Sequence, residues 1–386
     1  MKVLIFAQAD ERMGSAKSLL ELVYELKQKN IACIVVNPFA NKLNKDLTAM
    51  GIENYSGGFS HNCHTPHGNF LRRTLAMQKR KLSYYLHQKY AERNIDRLVD
   101  FSDIDIIHTN NTVIDIGTYF AKKYHKPHVW HIREFGEEDF GLKYYHDKMG
   151  KYISDNSDAV IMISDAISQS WVGKGVAADK AVTILHGVSK KKYLNEPSGD
   201  KEGKLKIIFA GGVYPSKGQL DFIKAIDSLS AAEKQYVQLD IYGQTDKDYE
   251  RAIDEYIKHN KLQAIVRLHG YSDNLNEILP QYDVGIVNSL CEGMGRVTIE
   301  YMLSGLYVQA SNRGANPEIL LYGKLGGVHE FGDIQDMARA IRYCIANPDE
   351  CRRIGRAARE YALEHYTIEK NVDKFIELYH SLLSRK

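Results

Sequence analysis

Short apolar runs alternate with longer amphipathic segments along most of this chain, and the alternation constrains the fold more than any other feature. The runs have the length of buried β-strands. The amphipathic segments place apolar residues at helical spacing, as at Leu19, Leu22, Val23 and Leu26. In the first half, strands are predicted at residues 3–7, 31–36, 104–108, 128–132, 159–163 and 182–185. Strands separated by helices are typical of a doubly wound parallel sheet.

A second set of alternating segments follows a polar stretch. Its strands are predicted at residues 206–210, 238–242, 266–269, 284–288 and 307–310. Residues 195–204, between the two sets, are rich in turn-forming residues and are predicted to be a linker. We therefore expect an α/β protein with two doubly wound, Rossmann-like domains, 1–194 and 205–366, facing each other across a cleft. Residues 367–386 are expected to form a C-terminal helix that packs back on the first domain.

The composition limits the classes of partner. With 386 residues, 44% of them hydrophobic, the chain can bury a large core. A formal net charge of +2 is too small to indicate nucleic acid as the principal partner. The first apolar run is too short for a signal peptide, no run approaches the length of a membrane span, and the five scattered cysteines do not indicate a disulfide framework. These features favour a cytoplasmic protein.

Two glutamates follow the predicted strand 284–288. Glu292 lies in the turn Cys291-Glu292-Gly293-Met294-Gly295, and Glu300 is expected about two turns into the next helix. In open α/β sheets ligands bind beyond the carboxyl ends of the strands, and free amides at a helix start attract phosphate. Because the carboxylates could accept hydroxyl hydrogen bonds, the segment fits a sugar diphosphate bound without metal. An ordinary helix start with acidic residues near its positive end fits about equally well.

Four separated motifs resemble one known family. They are the glutamate segment 291–300, Gly211-Gly212-Val213-Tyr214-Pro215-Ser216-Lys217-Gly218, Leu185-His186-Gly187-Val188 and Asn312-Arg313-Gly314-Ala315-Asn316-Pro317-Glu318. Together they resemble the retaining glycosyltransferases of family four, which have the GT-B fold. The resemblance extends over nearly the whole chain. It is strongest over residues 205–345 and weaker before them, where that family varies with its acceptor.

The resemblance implies roles for residues of the second domain. Glu292 would contact the donor sugar, Glu300 would contact the ribose hydroxyls, and Lys217 would neutralise the departing diphosphate. The alternative for Lys217 is a solvated loop lysine. The nucleotide-sugar-binding residues in this domain are then expected to be Gly212, Gly270, Tyr271, Gly293, Met294, Gly295, Arg296 and Glu300. The surroundings of Gly270 and Tyr271 do not distinguish uracil from guanine as the base.

One position departs from the family pattern. The family usually carries an arginine after the first glycine of the lysine loop, where this chain has Gly212. The hypothesis is that Arg296 or Arg133 supplies the missing cation, because a guanidinium suits phosphate geometry.

The first domain carries a weaker version of the family pattern. The segment Pro127-His128-Val129-Trp130-His131-Ile132-Arg133-Glu134 resembles the family strand that ends in an active-site histidine. The family's histidine falls on Arg133, whereas the nearby imidazole belongs to His131, so both are taken as catalytic candidates. A structural role for His131 is equally compatible with the sequence. Gly14 would border the diphosphate and acceptor, or simply begin a helix.

Two groups of residues resemble metal-binding patterns. Asp103-Ile104-Asp105 resembles the paired aspartates of metal-dependent transferases but precedes a strand, so it is interpreted as structural. His61, Cys63, His64 and His67 lie close together, yet their spacing fits no zinc pattern well. We expect no metal and no cofactor beyond the donor nucleotide sugar.

A basic segment interleaved with leucines and tyrosines lies between residues 70 and 93. Its basic residues include Arg72, Arg73, Lys79, Arg80 and Lys81, and its apolar ones include Leu71, Leu75, Leu82, Tyr84, Tyr85 and Leu86. As a helix it would be an amphipathic surface suited to anionic headgroups. Equally, it could be a solvated helix that packs its leucines on the sheet. The membrane hypothesis suggests a lipid-linked acceptor and a peripheral position on the inner face of the plasma membrane.

The predicted function is a retaining, metal-independent glycosyltransferase. It would move a hexose or N-acetylhexosamine from a nucleotide-diphosphate sugar, UDP favoured, to a hydroxyl of a glycan acceptor in bacterial surface polysaccharide synthesis. The alternatives are a nucleotide-sugar 2-epimerase of similar fold and a non-catalytic nucleotide-sugar-binding protein. An epimerase would need no acceptor.

Overall fold

The computed structural model describes residues 1–8, 14–65, 70–185, 187–193 and 203–385, with the side chains of residues 70–76 outside the description. It divides into two compact units, Met1–Gly187 with Ile368–Lys386, and Val188–Thr367. Most of the expected linker, residues 195–202, and His186 of the motif 185–188 lie outside the described residues.

Among the described residues, the first unit is built on a seven-stranded parallel sheet of order β3-β2-β1-β5-β6-β8-β9 and a short antiparallel pair, β4 with β7. The strands are β1 (Lys2–Ala7), β2 (Ala32–Asn37), β3 (Glu53–Ser56), β4 (Cys63–His64), β5 (Ile106–Asn110), β6 (His128–Ile132), β7 (Lys143–Tyr144), β8 (Ala159–Met162) and β9 (Ala181–Thr183). The helices between them are α1 (Gly14–Gln28), α2 (Lys42–Ala49), α3 (Phe70–Leu98), α4 (Ile116–Tyr124), α5 (Glu137–Phe140), α6 (Met149–Asp155) and α7 (Asp165–Gly173).

The second unit carries a parallel sheet of order β12-β11-β10-β13-β14-β15 in its described part. The strands are β10 (Leu205–Ala210), β11 (Val237–Tyr242), β12 (Val266–Gly270), β13 (Val284–Val287), β14 (Tyr307–Ser311) and β15 (Gly327–His329). Its helices are α8 (Gln219–Asp227), α9 (Ala231–Lys234), α10 (Lys247–His259), α11 (Leu275–Ile278), α12 (Arg296–Leu303), α13 (Asn316–Ile319), α14 (Ile334–Ala346) and α15 (Pro348–His365).

The last helix, α16 (Ile368–Leu383), belongs to the first unit. Val372, Phe375 and Tyr379 are fully buried in the core that also contains the apolar residues of α1. The Tyr379 hydroxyl lies 2.7 Å from Nδ1 of His108 in β5. The sheet of the first unit is therefore covered by a helix from the far end of the chain.

The predicted fold class, two doubly wound Rossmann-like α/β units, is confirmed by these sheets. The predictions missed β3 and β15, which lie at the edges of the two large sheets, and the short antiparallel pair of β4 and β7. Residues of β3 are half-exposed or exposed, so they lack the continuous apolar run that marks a central strand.

In both sheets the strand order reverses once. The chain builds β1, β2 and β3 outward in one direction and then returns to place β5 beside β1. The second unit repeats this with β13 beside β10. Ligands of doubly wound sheets bind beyond the carboxyl ends of the strands at such a reversal. The loops after β10 and β13 are therefore the natural place for a ligand of the second unit.

Candidate active site

Lys217 and Glu292 meet at the strand reversal of the second unit. Lys217 lies in the loop after β10 and Glu292 in the loop after β13, and the Lys217 Nζ is 2.7 Å from a Glu292 carboxylate oxygen. A backbone hydrogen bond of 2.8 Å from Leu290 to the Ser216 carbonyl joins the two loops directly. Both charged side chains remain partly accessible. The pair is therefore available to a ligand.

The surroundings of Glu292 keep it ionised. Burial by itself raises the pKa of its carboxyl, but the Lys217 ammonium, the Ser289 hydroxyl and the Gly295 amide together hold that pKa below its usual value. Glu292 is thus a carboxylate at neutral pH and accepts hydrogen bonds rather than donating them.

Glu300 lies on the helix that follows. Gly295 has a φ of +57°, which is incompatible with the α-helix, so α12 begins only at Arg296. Glu300 therefore lies about one turn into the helix, not two turns as the sequence predicted. Its carboxylate accepts a 2.9 Å hydrogen bond from Nε of Arg296, and the Met294 side chain beside this start is buried.

The loop after β14 contacts the backbone of Glu292. The Ala315 amide donates a 2.8 Å hydrogen bond to the Glu292 carbonyl. Gly314 has a φ of +60°, and a Cβ at this position would lie 2.2 Å from the same carbonyl oxygen. This position requires glycine, because the atoms that a Cβ would meet belong to the Glu292 backbone and cannot rotate away.

We expect Gly314→Ala to destabilise the second unit by about 2 kcal/mol or more, since it adds a backbone collision to left-handed strain. Gly332→Ala is the matched control, because Gly332 has a φ of +82° with nothing within 4 Å of its Cβ position. Calorimetric unfolding of both variants measures the difference. Equal losses of stability in the two variants would show that the collision of a Gly314 Cβ with the Glu292 carbonyl does not destabilise the unit.

Other expected binding residues of this unit lie in the loop after β10, at Gly212, and at the end of β12, at Gly270 and Tyr271. A Cβ on Gly212 would lie 2.4 Å from the Tyr214 ring, so that ring covers the place where the family has its arginine. Gly270 ends β12 with a φ of +74°, and its carbonyl accepts a 2.8 Å hydrogen bond from Gly243. The Tyr271 side chain is half exposed and donates a hydrogen bond to Asp273.

Three expected site residues belong to the first unit. Gly14 begins α1 and is exposed. Arg133 follows β6, and its guanidinium donates a 3.2 Å hydrogen bond to Oδ1 of the buried Asn110 at the end of β5. His131, by contrast, is fully buried, with ring centroids 5.4 Å from Phe375 of α16 and 5.3 Å from His108. This burial favours the structural role for His131, which the sequence left as an equal alternative to a catalytic one.

Sequence reasoning missed a buried acidic cluster in the first unit. Glu134 accepts hydrogen bonds from both the amide and the hydroxyl of Thr112, and burial raises the pKa of its carboxyl. Nearby, the carboxylate of Asp115 accepts hydrogen bonds from Tyr84 and Gln88 of α3. The sequence pointed to this cluster only through Glu134, which directly follows the candidate residue Arg133.

The described residues of the metal-binding patterns are not grouped as ligands. Within the ranges the structure describes, no three His, Cys, Asp or Glu side chains are grouped to hold a metal ion. His67 lies outside the described residues. Asp105 accepts a 2.7 Å hydrogen bond from the Lys2 amide and so has the structural role expected of it. The five cysteines are all free thiols.

The basic segment forms most of α3. Lys79 and Arg80 are exposed and Lys81 is half exposed, whereas the side chains of Arg72 and Arg73 lie outside the described part of the chain. The inclusion of Tyr84 in the apolar surface was wrong, because Tyr84 is buried on the inner face. Large apolar side chains on the outer face are Leu82, Tyr85, Leu86 and Tyr90. Of the helices described, none is both long and apolar enough to cross a bilayer.

Two family models match the chain in succession. The model for Glycosyltransferase Family 4 matches residues 13–192, and the model for glycosyl transferases group 1 matches residues 191–361. The chain is a glycosyltransferase of the family-four, GT-B type. The loops that carry Lys217, Glu292 and Glu300 lie within the second match. The two matches favour sugar transfer over the two alternatives, an epimerase and a non-catalytic binding protein.

Characterised proteins resemble the glycosyltransferase along most of its length. Spore coat protein SA of Bacillus subtilis is 24% identical over 77% of this chain and 84% of its own. The poly(ribitol-phosphate) alpha-N-acetylglucosaminyltransferase of Staphylococcus aureus is 27% identical over 68% of this chain and 51% of its own. The crystal structure of Anabaena HepE with UDP and glucose superposes with a TM-score of 0.76 at 18% identity, covering 99% of this chain and all of that one.

Proposed function

We propose that the glycosyltransferase moves a hexose or N-acetylhexosamine from a UDP-sugar to a hydroxyl group of a glycan acceptor, with retention at the anomeric carbon and without a metal ion. The observation that carries this proposal is the Lys217–Glu292 ion pair at the strand reversal of the second unit. A fixed ammonium there can supply the charge that a metal ion supplies in other transferases.

The chemistry follows from the charges in these loops. As the bond from the anomeric carbon to the diphosphate breaks, negative charge develops on the phosphate oxygens, and Lys217 stabilises it. The backbone amides of residues 293–295 add hydrogen-bond donors. Glu292 accepts hydrogen bonds from sugar hydroxyls and Glu300 from ribose hydroxyls. Arg296, bound to Glu300, is the cation we propose in place of the arginine absent at Gly212.

Retention requires that the new bond forms on the face the diphosphate leaves. The acceptor oxygen bonds to the anomeric carbon, and its proton passes to a diphosphate oxygen, so UDP leaves protonated and no covalent sugar–enzyme bond is needed. Lys217 keeps its protons throughout and acts only by charge. Arg133 and Gly14 are proposed to contact substrate from the first unit.

The comparisons support UDP and a surface polymer. HepE was solved with UDP and with glucose, and the staphylococcal relative is named for transfer of N-acetylglucosamine to poly(ribitol phosphate). For this chain we therefore propose UDP-glucose or UDP-N-acetylglucosamine as donor and a hydroxyl-rich polymer as acceptor. That this polymer is lipid-linked during synthesis is proposed from the α3 surface described below.

The test incubates the enzyme with each of these donors, with and without poly(ribitol phosphate) or alkyl glycosides as trial acceptors. The proposal expects UDP release that depends on an acceptor, survives EDTA, and yields a product with the anomeric configuration of the donor. An isomerised nucleotide sugar formed without acceptor would indicate epimerisation instead. Failure of UDP to raise the melting temperature would contradict the donor assignment.

We also propose that the outer face of α3 binds anionic lipid. Exposed Leu82, Leu86 and Tyr90 lie on the same helical face as the exposed basic residues Lys79 and Arg93. The opposite face is fastened to the first unit through Tyr84 and Gln88. A face that combines leucine, tyrosine and basic side chains suits the headgroup region of a bilayer, where each basic residue contributes about 1 kcal/mol.

Vesicle cosedimentation checks this surface. Wild-type protein is expected to bind phosphatidylglycerol-containing vesicles at low salt and not pure phosphatidylcholine vesicles. The double variant Leu82→Glu/Leu86→Glu should lose about tenfold or more in partitioning, because it removes apolar contact and adds like charge. Phe39→Glu, at another exposed apolar position, is the control and should bind as wild type. Equal partitioning of all three proteins would reject the α3 surface.

A further inference from the structure

Three buried polar side chains form a continuous relay behind the lysine loop. Gln309 lies in β14, His329 ends β15, and Asn288 follows β13, and each is at most 4% exposed. Nε2 of Gln309 lies 3.1 Å from Nδ1 of His329, and Nε2 of His329 lies 3.0 Å from Oδ1 of Asn288. Nδ2 of Asn288 donates a 3.0 Å hydrogen bond to the carbonyl of Gly218. The relay thus runs from β14, through the edge strand β15, to the residue next to Lys217.

The direction of every hydrogen bond in the relay is determined. The Gly218 carbonyl only accepts, so Asn288 presents its amide nitrogen to Gly218 and its oxygen to His329. His329 must then carry its proton on Nε2, and Nδ1 accepts from the Gln309 amide. Burial lowers the pKa of His329 to about 4, so the imidazole is neutral at physiological pH, as this arrangement requires.

Glycines make room for both ends of the relay. A Cβ on Gly218, which has a φ of +65°, would lie 2.4 Å from Nδ2 of Asn288. A Cβ on Gly327 would lie 1.9 Å from Oε1 of Gln309. Apolar side chains of similar size would fill this interior without the desolvation of amide and imidazole groups. The polar trio therefore gives the loop a defined orientation that packing alone would not give.

We propose that Gln309, His329 and Asn288 are positioning residues that hold the Gly218 carbonyl and so fix the Lys217 ammonium at the distance from Glu292 that the donor diphosphate needs. This inference rests on the proposed role of Lys217. The relay touches no substrate and acts only through the loop. Loss of the relay is expected to raise the Kd for the diphosphate by more than an equal loss of folding stability elsewhere in the unit would.

Calorimetric titration with UDP tests the relay. His329→Leu removes both hydrogen bonds of the imidazole and should raise the Kd for UDP about tenfold, the scale expected when a binding group is displaced by a fraction of an ångström. His329→Gln can still donate at one end and accept at the other, so it should restore the Kd to within about twofold of wild type. Ile253→Ala is the control, because Ile253 is fully buried on α10 and its loss destabilises the unit without removing a hydrogen bond of the relay.

The outcomes separate this inference from the donor assignment. If Lys217→Met binds UDP as tightly as wild type, the proposed function fails. If Lys217→Met weakens binding while His329→Leu does not, or if Ile253→Ala weakens it as much as His329→Leu, the relay inference is overturned. Should His329→Leu not fold, Gln309→Met serves instead, with an expected rise in Kd of about threefold and the same criterion of rejection.

Discussion

Replacement of Lys217 by methionine is expected to lower kcat for sugar transfer by about 100- to 1,000-fold, the usual cost of removing one group that stabilises developing negative charge. The Lys217 ammonium is fixed by its 2.7 Å contact with Glu292 in the free enzyme, so it needs no rearrangement when the diphosphate leaves. Methionine keeps most of the side-chain volume and removes only the charge. Steady-state release of UDP in the presence of acceptor measures the effect.

Two further variants make this result specific. Lys217→Arg keeps a cation at the loop and should recover part of the activity. Lys224→Met removes a partly buried lysine of α8 that pairs with Asp221, and it should leave kcat unchanged. In Lys217→Met the pKa of Glu292 should also rise, because the main group that lowers it is gone. Full activity of Lys217→Met would show that the charge of Lys217 has no part in the reaction.

Acid is expected to destabilise the first unit as the pH falls below about 6.5, because two of its histidines are buried. Burial lowers the pKa of His108 to about 3 and that of His128 to about 4, against an ordinary 6.5. At a pH between the folded and the unfolded pKa of each histidine, the unfolded chain binds a proton that the folded chain does not. The free energy of unfolding therefore falls as the pH falls through this range. At pH 5 each imidazole should cost about 2 kcal/mol relative to its contribution above pH 7, or about 4 kcal/mol for both.

Urea unfolding at pH 7 and pH 5, followed by tryptophan fluorescence, measures this loss. Both tryptophans, Trp130 and Trp171, are buried in the first unit, so the signal reports that unit. In His128→Gln the difference between the two pH values should shrink by about 2 kcal/mol, since one titrating group is removed. Substitution of the exposed His87 by glutamine should leave the difference as in wild type. A wild-type stability that does not change between pH 7 and pH 5 would contradict the burial of neutral imidazoles.

The sequence was sufficient to predict the fold class and to place Lys217 and Glu292 each in a loop after a predicted strand, but the ion pair between them was seen only in the structure. Both residues follow strong apolar runs, and the carboxyl ends of parallel strands share one edge of a sheet. The start of the next helix could not be placed as well. The left-handed conformation of Gly295 delays α12, and therefore Glu300 lies closer to the turn than its spacing suggested.

The sequence could not show contacts between residues that are distant along the chain. His131 reads as a cleft residue because its strand is correctly predicted, but it is enclosed by Phe375, on a helix more than 240 positions later. The sequence places Tyr84 among the apolar residues of the α3 surface. In the structure the Tyr84 hydroxyl donates a hydrogen bond to Asp115, which lies outside α3. Likewise, no local pattern links Gln309 to His329. Side-chain partners across a sheet depend on strand order, which periodicity does not give.

A crystal structure of the enzyme with UDP would test the donor site most directly. We predict a diphosphate oxygen within about 3 Å of the Lys217 Nζ, with ribose hydroxyls on the Glu300 carboxylate and the amides of residues 293–295 facing the phosphate. UDP bound elsewhere, with the Lys217–Glu292 pair left untouched, would contradict the assignment of these loops as the donor site.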